Sequence, residues 1–501
     1  MHDRAREGQQ QMWFDDVEKP SPITRKDYEA QEIELRERLL SAQARLKESK
    51  HPVLILFSGV DKAGKGTMVN LLNEWMDPRN ITTRAFDTPT QGERERPDFW
   101  RFWKDLPPRG EIGLYLSAWY SRPLVDRVYK RIKKSVFREK LDEICTLENM
   151  LVDDGALIIK IWLHLDKADQ KSRLESLEGD RLQRWRVKEK DWENWGRYDR
   201  FIKYSEQIVD ATHSVRAPWH IVDASDPRRR NLNVGALILE AIEQRLNGVT
   251  PAPEPARPWP APANPLLPTL DMRQQLPKAD YKHQLAEAQR HLHILHRRTQ
   301  AEHKSAVVVF EGWDAAGKGG AIRRILPALD ARHFRIVPVA APTKEELDHH
   351  YLWRFWNHIP RDGRVTFFDR SWYGRVLVER VEGFATDAEW QRAYREINLF
   401  EQELVEHGVI VQKFWIHITP DEQKRRFDAR AITPHKSWKL TAEDWRNREK
   451  WGAYEVAVED MLQRTHTPLA PWTVIEGNDK RFARIKVLEA LRDRFELALG
   501  Y

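Results

Sequence analysis

The hydrophobic pattern of the chain forms two similar series, one in each half. Each series opens with a charged stretch of helical pattern, at residues 26–50 and 280–304, followed by a short run that is apolar at every position, at residues 53–57 and 306–310. A run without alternation is typical of a parallel strand that helices cover on both faces. In the second half, further apolar runs separated by helical patterns predict strands at residues 335–339, 365–368, 409–418 and 472–475. This alternation predicts an α/β fold, with a parallel sheet between helices in each half.

The two series are copies of one unit. The segment GVDKAGKG at residues 59–66 recurs as GWDAAGKG at residues 312–319, a displacement of 253 positions. The same displacement, without a gap, keeps many tryptophan, proline and histidine positions in register, which chance does not do. The pairs include Trp103 with Trp356, Trp119 with Trp372, His164 with His417, Trp192 with Trp445 and Pro218 with Pro471. We therefore predict an internal duplication of one domain.

A proline-rich segment separates the copies. Residues 251–268 read PAPEPARPWPAPANPLLP. Proline lacks an N–H donor and resists both helix and sheet, so this composition predicts a stiff, extended linker. Residues 1–22 are polar and charged, and we expect a disordered tail there. The predicted domains are residues 23–250 and 269–501.

Composition narrows the class of protein. The 501 residues are 41% hydrophobic and include 21 tryptophans, enough for two packed cores. Lys and Arg number 83 against 77 Asp and Glu, a net charge of +6 that favours anionic partners only weakly. Cys145 is the only cysteine, which excludes an intrachain disulfide and a cysteine zinc site. No stretch has the length and apolarity of a membrane span or signal segment, so we expect a cytoplasmic protein without a membrane partner.

The segment GWDAAGKG fits the phosphate-binding pattern G-x-x-x-x-G-K. It directly follows a predicted strand and precedes a helical pattern at residues 321–329. Glycines let successive backbone N–H groups turn inward, and the helix N-terminus and Lys318 add positive charge, which together make a phosphate cradle. The alternative is a structural glycine-rich turn. The candidate phosphate-binding residues beside Lys318 are Gly312, Ala315, Ala316, Gly317 and Gly319.

This loop departs from the usual pattern at the position after the lysine. A Ser or Thr there normally helps to hold Mg²⁺, but this chain has Gly319. Asp314 lies inside the loop, where a carboxylate repels phosphate unless a cation lies between them. We therefore interpret Asp314 as a substitute metal ligand or as a residue that positions the acceptor phosphate.

A second carboxylate follows the predicted strand at residues 365–368. Asp369 begins the segment DRSWYGR, and the carboxyl end of a strand beside the loop faces the crevice in which ligands of open α/β sheets bind. Asp314 and Asp369 together are candidate ligands for Mg²⁺, with Arg370 and Arg375 as candidate phosphate clamps. A surface Asp paired with its neighbouring Arg is the alternative.

A basic cluster follows the predicted strand at residues 409–418. It runs from Lys424 to Lys439 and is interrupted by Pro434. Nucleotide kinases bring cations over the transferring phosphoryl group with a mobile lid, and this position along the chain predicts such a lid. A solvated helix face is the alternative interpretation.

Four stretches carry a resemblance to a known family: GWDAAGKGG, FFDRSWYGR, PTKEELDHHYLWRFW and SWKLTAEDW. With them the chain closely resembles the family-2 polyphosphate kinases, and more narrowly their duplicated, two-domain class. The resemblance implies an adenylate-kinase-like or thymidylate-kinase-like fold. It also implies Mg²⁺-dependent transfer of the terminal phosphoryl group of inorganic polyphosphate to AMP, giving ADP. AMP rather than ADP or GMP as acceptor is implied by the resemblance alone.

The resemblance also assigns roles to residues. The family's essential aspartates correspond to Asp314 and Asp369, and its loop lysine to Lys318. The acceptor attacks the terminal phosphoryl group in line, so catalysis consists of positioning and charge neutralisation, with Arg370 beside the second aspartate. The lid cations that the resemblance implies are Arg425, Arg426, Lys436 and Lys439.

The first copy lacks part of this set. Leu116 and Ser117 stand where the second copy has Asp369 and Arg370. At the lid, Ser172, Leu177 and Gln183 replace Arg425, Arg430 and Lys436, whereas Asp61, Gly64, Lys65 and Arg122 are retained. Loss of a metal ligand leaves phosphate charge under-neutralised, so we expect catalysis only in the second copy. We expect the first copy to dock on it as a subunit does in a homodimer, with homo-oligomers as a further option. The alternative is that the first copy binds phosphate chains through Lys65 without turning them over.

Two other functions compete with this interpretation. An ATP-dependent nucleoside monophosphate kinase shares the loop, the lid and Mg²⁺, but the missing Ser or Thr and the acidic Asp314 argue against it. A non-catalytic protein that binds RNA or polyphosphate would use basic and aromatic side chains as a platform. Asp314 and Asp369 argue against this too, because carboxylates hinder the binding of bare phosphate. We therefore expect no nucleic-acid partner.

Overall fold

The computed structural model describes residues 13–15, 17, 19, 21–249, 265–433 and 442–500. These residues form two compact units. The first comprises Met1–Thr88, Asp105–Glu254 and Asp348–His350, and the second Pro89–Lys104, Pro255–Leu347 and Tyr351–Tyr501.

The first unit has a sheet of five parallel strands with neighbours in the order β2-β3-β1-β4-β5. The strands are β1 Val53–Gly59, β2 Ile81–Ala85, β3 Ile112–Leu116, β4 Leu157–His164 and β5 Trp219–Asp223. The helices are α1 Arg25–Lys47, α2 Lys65–Trp75, α5 Ser121–Val128, α6 Lys134–Asp153, α7 Lys167–Gly179, α8 Glu189–Trp195, α9 Tyr198–Thr212 and α10 Pro227–Leu246.

The second unit repeats this sheet, with the order β7-β8-β6-β9-β10 and parallel pairing throughout. Its strands are β6 Ala306–Gly312, β7 Phe334–Pro338, β8 Val365–Asp369, β9 Ile410–His417 and β10 Trp472–Glu476. Its helices are α3 Gln91–Arg94, α4 Trp100–Lys104, α11 Lys278–Ala301, α12 Lys318–Ile325, α13 Lys344–Leu347, α14 Trp353–Trp356, α15 Val378–Val381, α16 Asp387–Glu406, α17 Pro420–Ala431, α18 Ala442–Glu449, α19 Trp451–Thr465 and α20 Lys480–Leu499.

The central strand explains why the apolar runs were informative. In β6 every residue from Ala306 to Phe310 is buried, since the strand has neighbours on both edges and helices over both faces. β1 has the same place in the first unit. The predicted α/β fold with two parallel sheets is confirmed, and the predicted strands of the second half lie within one residue of the observed bounds at most of their ends.

Parallel pairing brings the carboxyl ends of β6 and β8 to the same edge of the sheet. β6 and β8 are neighbours, and their register pairs Phe310 with Asp369. The loop that leaves β6 and the carboxylate that ends β8 therefore lie at the same edge of the sheet, where ligands of open α/β sheets bind.

The units do not follow the repeats along their whole length. Pro89–Lys104 lies in the first repeat of the sequence but belongs to the second unit. There Trp103 stacks on Trp356, with ring centroids 5.8 Å apart, and the indole N–H of Trp100 donates to the carbonyl of Trp356 at 2.9 Å. Conversely, Asp348–His350 belongs to the first unit, where the Asp348 carbonyl accepts from the N–H of Arg109 at 2.7 Å.

A short apolar anchor precedes the long first helix of each repeat, α1 and α11. Phe14 is only 4% exposed and lies against Trp162 and His164, with ring centroids 4.9 and 5.2 Å away, so the predicted disorder of the tail does not extend to this residue. Leu267, displaced from Phe14 by 253 positions, is buried, and its N–H donates to the Glu459 carboxylate at 2.6 Å. The end of the predicted linker is therefore packed, while residues 1–12 and 250–264 lie outside the described residues.

None of the helices in the described ranges is long and apolar enough to cross a membrane.

Candidate active site

The loop after β6 has the backbone conformation that its glycines allow. Gly312 has φ of 149°, and a Cβ atom there would lie 2.5 Å from the carbonyl oxygen of Ile416, so only glycine fits between the strands. Gly317, with φ of 116°, precedes the first residue of α12. The N-terminus of α12 therefore points its free N–H groups toward the space in front of the loop.

Two residues other than glycine also adopt the left-handed conformation at this edge. They are Ala315 in the loop and Arg370 after β8, with φ of 63° and 66°. Their counterparts in the first unit, Lys62 and Ser117, have φ of 66° and 55°. Such backbone strain is uncommon outside functional sites, and its presence in both copies indicates that the duplication preserved the backbone of the site even where side chains changed.

Lys318 folds back over the loop. Its Nζ donates to the carbonyls of Gly312 at 2.7 Å and Trp313 at 3.2 Å. Burial lowers the pKa of Lys318, and the nearby charge of Arg370 lowers it further, while the surrounding carboxylates oppose the shift. An anionic phosphate in front of the loop supplies the counter-charge that favours the protonated ammonium.

Asp314 is held by two donors from different elements. Its Oδ1 accepts from Nη2 of Arg370 at 2.8 Å, and its Oδ2 accepts from Nδ2 of Asn447 at 3.0 Å. Burial raises the pKa of Asp314, but the charges of Lys318 and Arg370 and these two hydrogen bonds outweigh burial and lower it overall. The carboxylate is therefore ionised and fixed in place at neutral pH.

Asp369 lies close to position 319, where the usual phosphate-binding loop has a Ser or Thr. A Cβ atom on Gly319 would be 3.6 Å from Oδ2 of Asp369. A hydroxyl side chain at position 319 would therefore lie in contact with this carboxylate. The geometry favours Asp369, more than Asp314, as the group that takes the place of the missing hydroxyl.

Trp313 fixes the back of the loop. Its ring stacks on Trp451 with centroids 3.7 Å apart, and its N–H donates to Nδ1 of His417 at 3.1 Å. Burial lowers the pKa of His417 to about 4, so the imidazole is neutral at pH 7 and its Nδ1 can accept this hydrogen bond. The loop is thus anchored to the end of β9 on one side and to α19 on the other.

The segment after Asp369 is tied into the core by a buried ion pair. Lys413 donates to Glu401 at 2.7 Å, and both side chains are buried. The same Glu401 accepts from the indole of Trp372 at 3.1 Å and from the hydroxyl of Tyr373 at 2.7 Å. Removing one partner of such a pair is strongly destabilising, so this network keeps the strand-end carboxylate in register with the loop.

Sequence reasoning missed a third carboxylate at this edge. Glu311, just before the loop, is buried, and its Oε1 accepts from the hydroxyl of Ser371 at 2.8 Å. Burial raises the pKa of Glu311, whereas the charge of Lys318 opposes that shift. The first copy has Ser58 and Ala118 at these two positions, so a comparison of the repeats would have revealed the pair.

Arg426 has contacts that differ from those expected of a lid cation. It is only 3% exposed, and all five of its N–H donors are engaged. Nε donates to Glu422, Nη1 to the loop carbonyls of Ala315 and Ala316 at 2.9 and 2.7 Å, and Nη2 to the carbonyls of residues 477 and 478 at 2.6 and 3.0 Å. These contacts favour a role in holding the loop over the predicted role of phosphate ligand.

The other predicted cations fall into three groups. Arg425 is 67% exposed, pairs with Glu422 at 2.6 Å and lines the cavity in front of the loop. Arg375 pairs with Glu379 at 3.2 Å and lies over the ring of Tyr351 at 4.5 Å, and within the described part of the chain it is not one of the residues lining that cavity. Lys436 and Lys439 lie outside the described residues.

The cavity has a volume of about 580 Å³ and a basic wall of which sequence reasoning found only Arg430. Arg323 of α12 and Lys480 and Arg484 of α20 line it together with Arg430 of α17. Burial, followed by the charge of Arg426, lowers the pKa of Lys480 to about 8. The first copy has Asn70, Leu177, Pro227 and Asn231 at the four positions, so the repeat register again marks a set of cations found only in the second unit.

The corresponding loop of the first unit is contacted by an arginine. Arg230 is buried, and its Nη1 donates to the carbonyl of Ala63 at 3.1 Å. A Cβ atom on Gly64 would lie 2.0 Å from that Nη1. The equivalent residue of the second unit is Ala483, which lines the open cavity. At this position the first unit therefore has a guanidinium against its loop, whereas the second unit has an alanine beside the open cavity.

These contacts define the chemistry that the second unit can perform. The cavity joins inward-facing loop N–H groups and several cations, which suit a polyanion bearing phosphates, with the two carboxylates of Asp314 and Asp369. Mg²⁺ is commonly held by one or two carboxylates plus substrate phosphates, and Asp314 and Asp369 both line the cavity. Within the described ranges no cluster of three or more His, Cys, Asp or Glu side chains is placed to hold a metal ion.

Comparison with known proteins gives matches along nearly the whole chain. The model of the family Polyphosphate kinase 2 matches residues 22–248 and residues 275–499, one match for each repeat. The chain is 49% identical over 492 residues to the polyphosphate:AMP phosphotransferase of Pseudomonas aeruginosa, covering 97% of this chain and 99% of that protein. It is 46% identical over 492 residues to the protein of the same name from Pseudomonas syringae pv. tomato, with the same coverage.

The fold has a match among solved structures as well. A crystal structure of a polyphosphate kinase 2 from Pseudomonas aeruginosa superposes with a TM-score of 0.86 at 47% identity, covering 96% of this chain and 98% of that chain. The resemblance carried by the four sequence stretches is thereby confirmed.

Proposed function

Because the chain belongs to the polyphosphate kinase 2 family, we propose that it transfers the terminal phosphoryl group of inorganic polyphosphate to AMP, giving ADP, in the cavity of the second unit. The observation that carries the proposal is that one cavity is lined by Asp314, Asp369, Lys318 and a basic wall. The names of the relatives from both Pseudomonas species, which match over nearly the full chain, support the choice of donor and acceptor.

The donor binds by charge rather than by shape. A polyphosphate chain carries about one negative charge per phosphate and has no base to stack, so several cations along its path are needed to hold it. Lys318 and the loop N–H groups hold the phosphoryl group to be transferred. Arg425, Arg430, Lys480 and Arg484 hold the phosphates behind it. Affinity for the chain should therefore fall as salt concentration rises.

The transfer needs no covalent intermediate on the protein. A phosphate oxygen of AMP attacks the terminal phosphorus in line, the bond to the bridging oxygen breaks, and the shortened chain leaves with the electron pair. Arg370 donates to Asp314 and lines the cavity, where its guanidinium stabilises the charge on the equatorial oxygens. Asn447 keeps Asp314 oriented.

The donor set of Asp314 and Asp369 fits Mg²⁺, which when bound supplies charge neutralisation for the transferring phosphoryl group. Two carboxylates close to phosphate also give a reason for the metal, since without a cation they would repel the substrate.

The first test removes each carboxylate. Asp314→Asn and Asp369→Asn are expected to lower kcat at least about 100-fold, because each removes charge from the proposed metal site. Asp61→Asn is the matched control, since Asp61 accepts from Asn194 at 2.8 Å as Asp314 accepts from Asn447 at 3.0 Å, but lies in the first unit. Substantial turnover by Asp369→Asn would refute the assignment of the site.

The second test separates the proposal from an ATP-dependent nucleoside monophosphate kinase. The protein is incubated with AMP and Mg²⁺ and with either polyphosphate or ATP as the only donor, and ADP is measured. Rapid ADP formation with ATP alone would contradict the proposal. If the wild-type protein shows no turnover and substitution of both Asp314 and Asp369 tightens polyphosphate binding, the alternative of a non-catalytic binding protein would be favoured.

The role of the first repeat as a docking partner stays a prediction, as do homo-oligomer formation and cytoplasmic location. Deleting residues 1–250 also removes Pro89–Lys104 from the second unit, and with it the stacking of Trp103 on Trp356. We therefore expect the remaining fragment to be unstable. A soluble, fully active fragment would contradict a docking role.

A further inference from the structure

The first unit contains a small cavity that the proposed reaction does not use. Its volume is about 100 Å³. The residues that line it are Val60, Asp61, Val125, Val128, Tyr129, Gln170, Asn194, Arg197, Tyr198 and Phe201. All of them belong to the first unit.

The second unit fills the equivalent space with an aromatic ring. There Trp313 stacks on Trp451, with centroids 3.7 Å apart and planes 10° from parallel. The repeat register places Val60 at the position of Trp313 and Tyr198 at the position of Trp451. Replacement of an indole by an isopropyl group explains the cavity, because close-packed surroundings relax only partly around a smaller side chain.

One wall of the cavity has an aromatic ring where the second unit has a carboxylate. Tyr129 replaces Glu382, which in the second unit pairs with Lys450 at 2.9 Å. In the first unit, the hydroxyl of Tyr129 donates to Oδ1 of Asn194 at 2.7 Å, and the guanidinium of Arg197 lies 4.5 Å from the Tyr129 ring centroid. The acidic partner of an ion pair has thus been replaced by an aromatic ring.

One polar group of the cavity lacks a partner. Gln170 is only 3% exposed, and its Nε2 donates to the carbonyl of Asp61 at 3.0 Å, but in the described part of the chain its Oε1 accepts no hydrogen bond. In the second unit the corresponding Gln423 accepts from Nη1 of Arg448 at 3.2 Å. Trp195 stands at the position of Arg448 in the first unit. A buried acceptor without a donor is unfavourable unless a ligand or water supplies one.

We propose that this cavity binds a small, flat heteroaromatic molecule with one ring N–H donor, an indole-like compound. The volume suits one compact ring system, the walls offer tyrosine and phenylalanine faces for stacking, and the acceptor of Gln170 matches one N–H group. The carboxylate of Asp61 lines the same space and disfavours a phosphorylated ligand. The molecule takes the space beside Val60 and Tyr198, the positions at which the other unit has the stacked pair of Trp313 and Trp451.

The test uses indole, with benzofuran as a ligand of nearly the same shape that lacks the N–H group. Binding to the full-length protein is measured by saturation-transfer NMR and by calorimetry. Indole is expected to bind, and benzofuran to bind about fivefold more weakly, because the loss of one hydrogen bond leaves the Gln170 acceptor unpaired. Equal affinities for the two ligands would overturn the role of Gln170.

Val60→Trp is the matched variant, because it restores the residue found in the second unit. It is expected to abolish indole binding while the protein retains its circular dichroism spectrum. If Val60→Trp does not fold, Val60→Met fills part of the space and should weaken binding severalfold. Unchanged affinity in the folded variant, or no indole binding by the wild-type protein, would overturn the proposal.

Discussion

Replacing Arg426 by lysine separates two roles for this residue. If Arg426 acts as a lid cation, lysine preserves its charge, and the main change should be a modest rise in KM for polyphosphate. If it holds the loop, charge is not enough, since the five donors of the guanidinium reach Glu422 and four backbone carbonyls, two of them in the loop. An ammonium group has only three N–H donors and cannot reproduce the planar fork.

The size of the effect follows from the number of lost bonds. At least two of the five acceptors lose their donor in Arg426→Lys, and a buried acceptor left unpaired costs about 1–3 kcal/mol. We therefore expect a loss of about 2–6 kcal/mol of unfolding free energy and a clearly lower thermal midpoint. Because misplacement of catalytic groups by about 1 Å can slow a reaction about 100-fold, kcat should fall to that extent while KM changes little.

Two controls make this prediction specific. Arg425→Lys changes a neighbouring arginine that is largely exposed and pairs with the same Glu422, so it should affect stability by less than about 1 kcal/mol and leave kcat nearly unchanged. Arg173→Lys changes the counterpart in the first unit, whose guanidinium donates to the carbonyls of residues 62, 224 and 225 at 3.1 Å. It should lower the thermal midpoint without lowering kcat.

The measurements are steady-state kinetics with polyphosphate as the varied substrate and thermal unfolding followed by circular dichroism. An Arg426→Lys protein with wild-type kcat and stability and a raised KM would refute the loop-holding role and restore the lid interpretation.

Three further predictions concern charge and space. Ala483→Arg copies Arg230 into the open cavity and should lower kcat at least about 100-fold in a folded protein. Activity within about twofold of wild type would contradict the argument that a guanidinium at this position occupies the space of a substrate phosphate. Since the pKa of Lys480 is lowered to about 8, its cation is lost as pH rises through that value, and KM for polyphosphate should rise between about pH 7 and 9. Lys480→Arg should remove this rise, and an unchanged pH profile in the variant would contradict the prediction. Burial lowers the pKa of His417 and His296 to about 4, so the unfolded chain binds more protons than the folded protein between about pH 6.5 and 4, and each histidine lowers the unfolding free energy by about 2 kcal/mol at pH 5. Urea unfolding that gives the same stability at pH 7 and pH 5 would refute this prediction.

Local sequence was sufficient for the sheet, the loop and the duplication. An apolar run at every position marks β6 because the strand is covered on both faces, and β8 is marked by a run that only Thr366 interrupts. The spacing of Gly312, Gly317 and Lys318 can be read from one short segment of the chain. The position of Asp369 at the end of a strand could also be inferred, since parallel strands beside each other present their carboxyl ends at one edge. These features depend on neighbours in the chain or on a general property of parallel sheets.

The basic wall and the roles of its neighbours required the tertiary structure. Arg425 and Arg426 both line the cavity, but successive residues of a helix point about 100° apart, so Arg425 is exposed there and Arg426 is buried against the loop. Lys480 and Arg484 come from a helix that begins more than 50 residues after these arginines, and no local pattern connects them to the loop. Only the comparison of the two copies could have marked them in advance.

The sequence by itself determined that one domain is written twice and which copy retains the two carboxylates, because both are matters of residue identity in register. It could not determine that Pro89–Lys104 belongs to the second unit, that Arg230 lies against Ala63, or that Val60 leaves a cavity where Trp313 fills one. Each of these depends on contacts between residues far apart in the chain, and such contacts are set by how complete elements pack rather than by the pattern within any one of them.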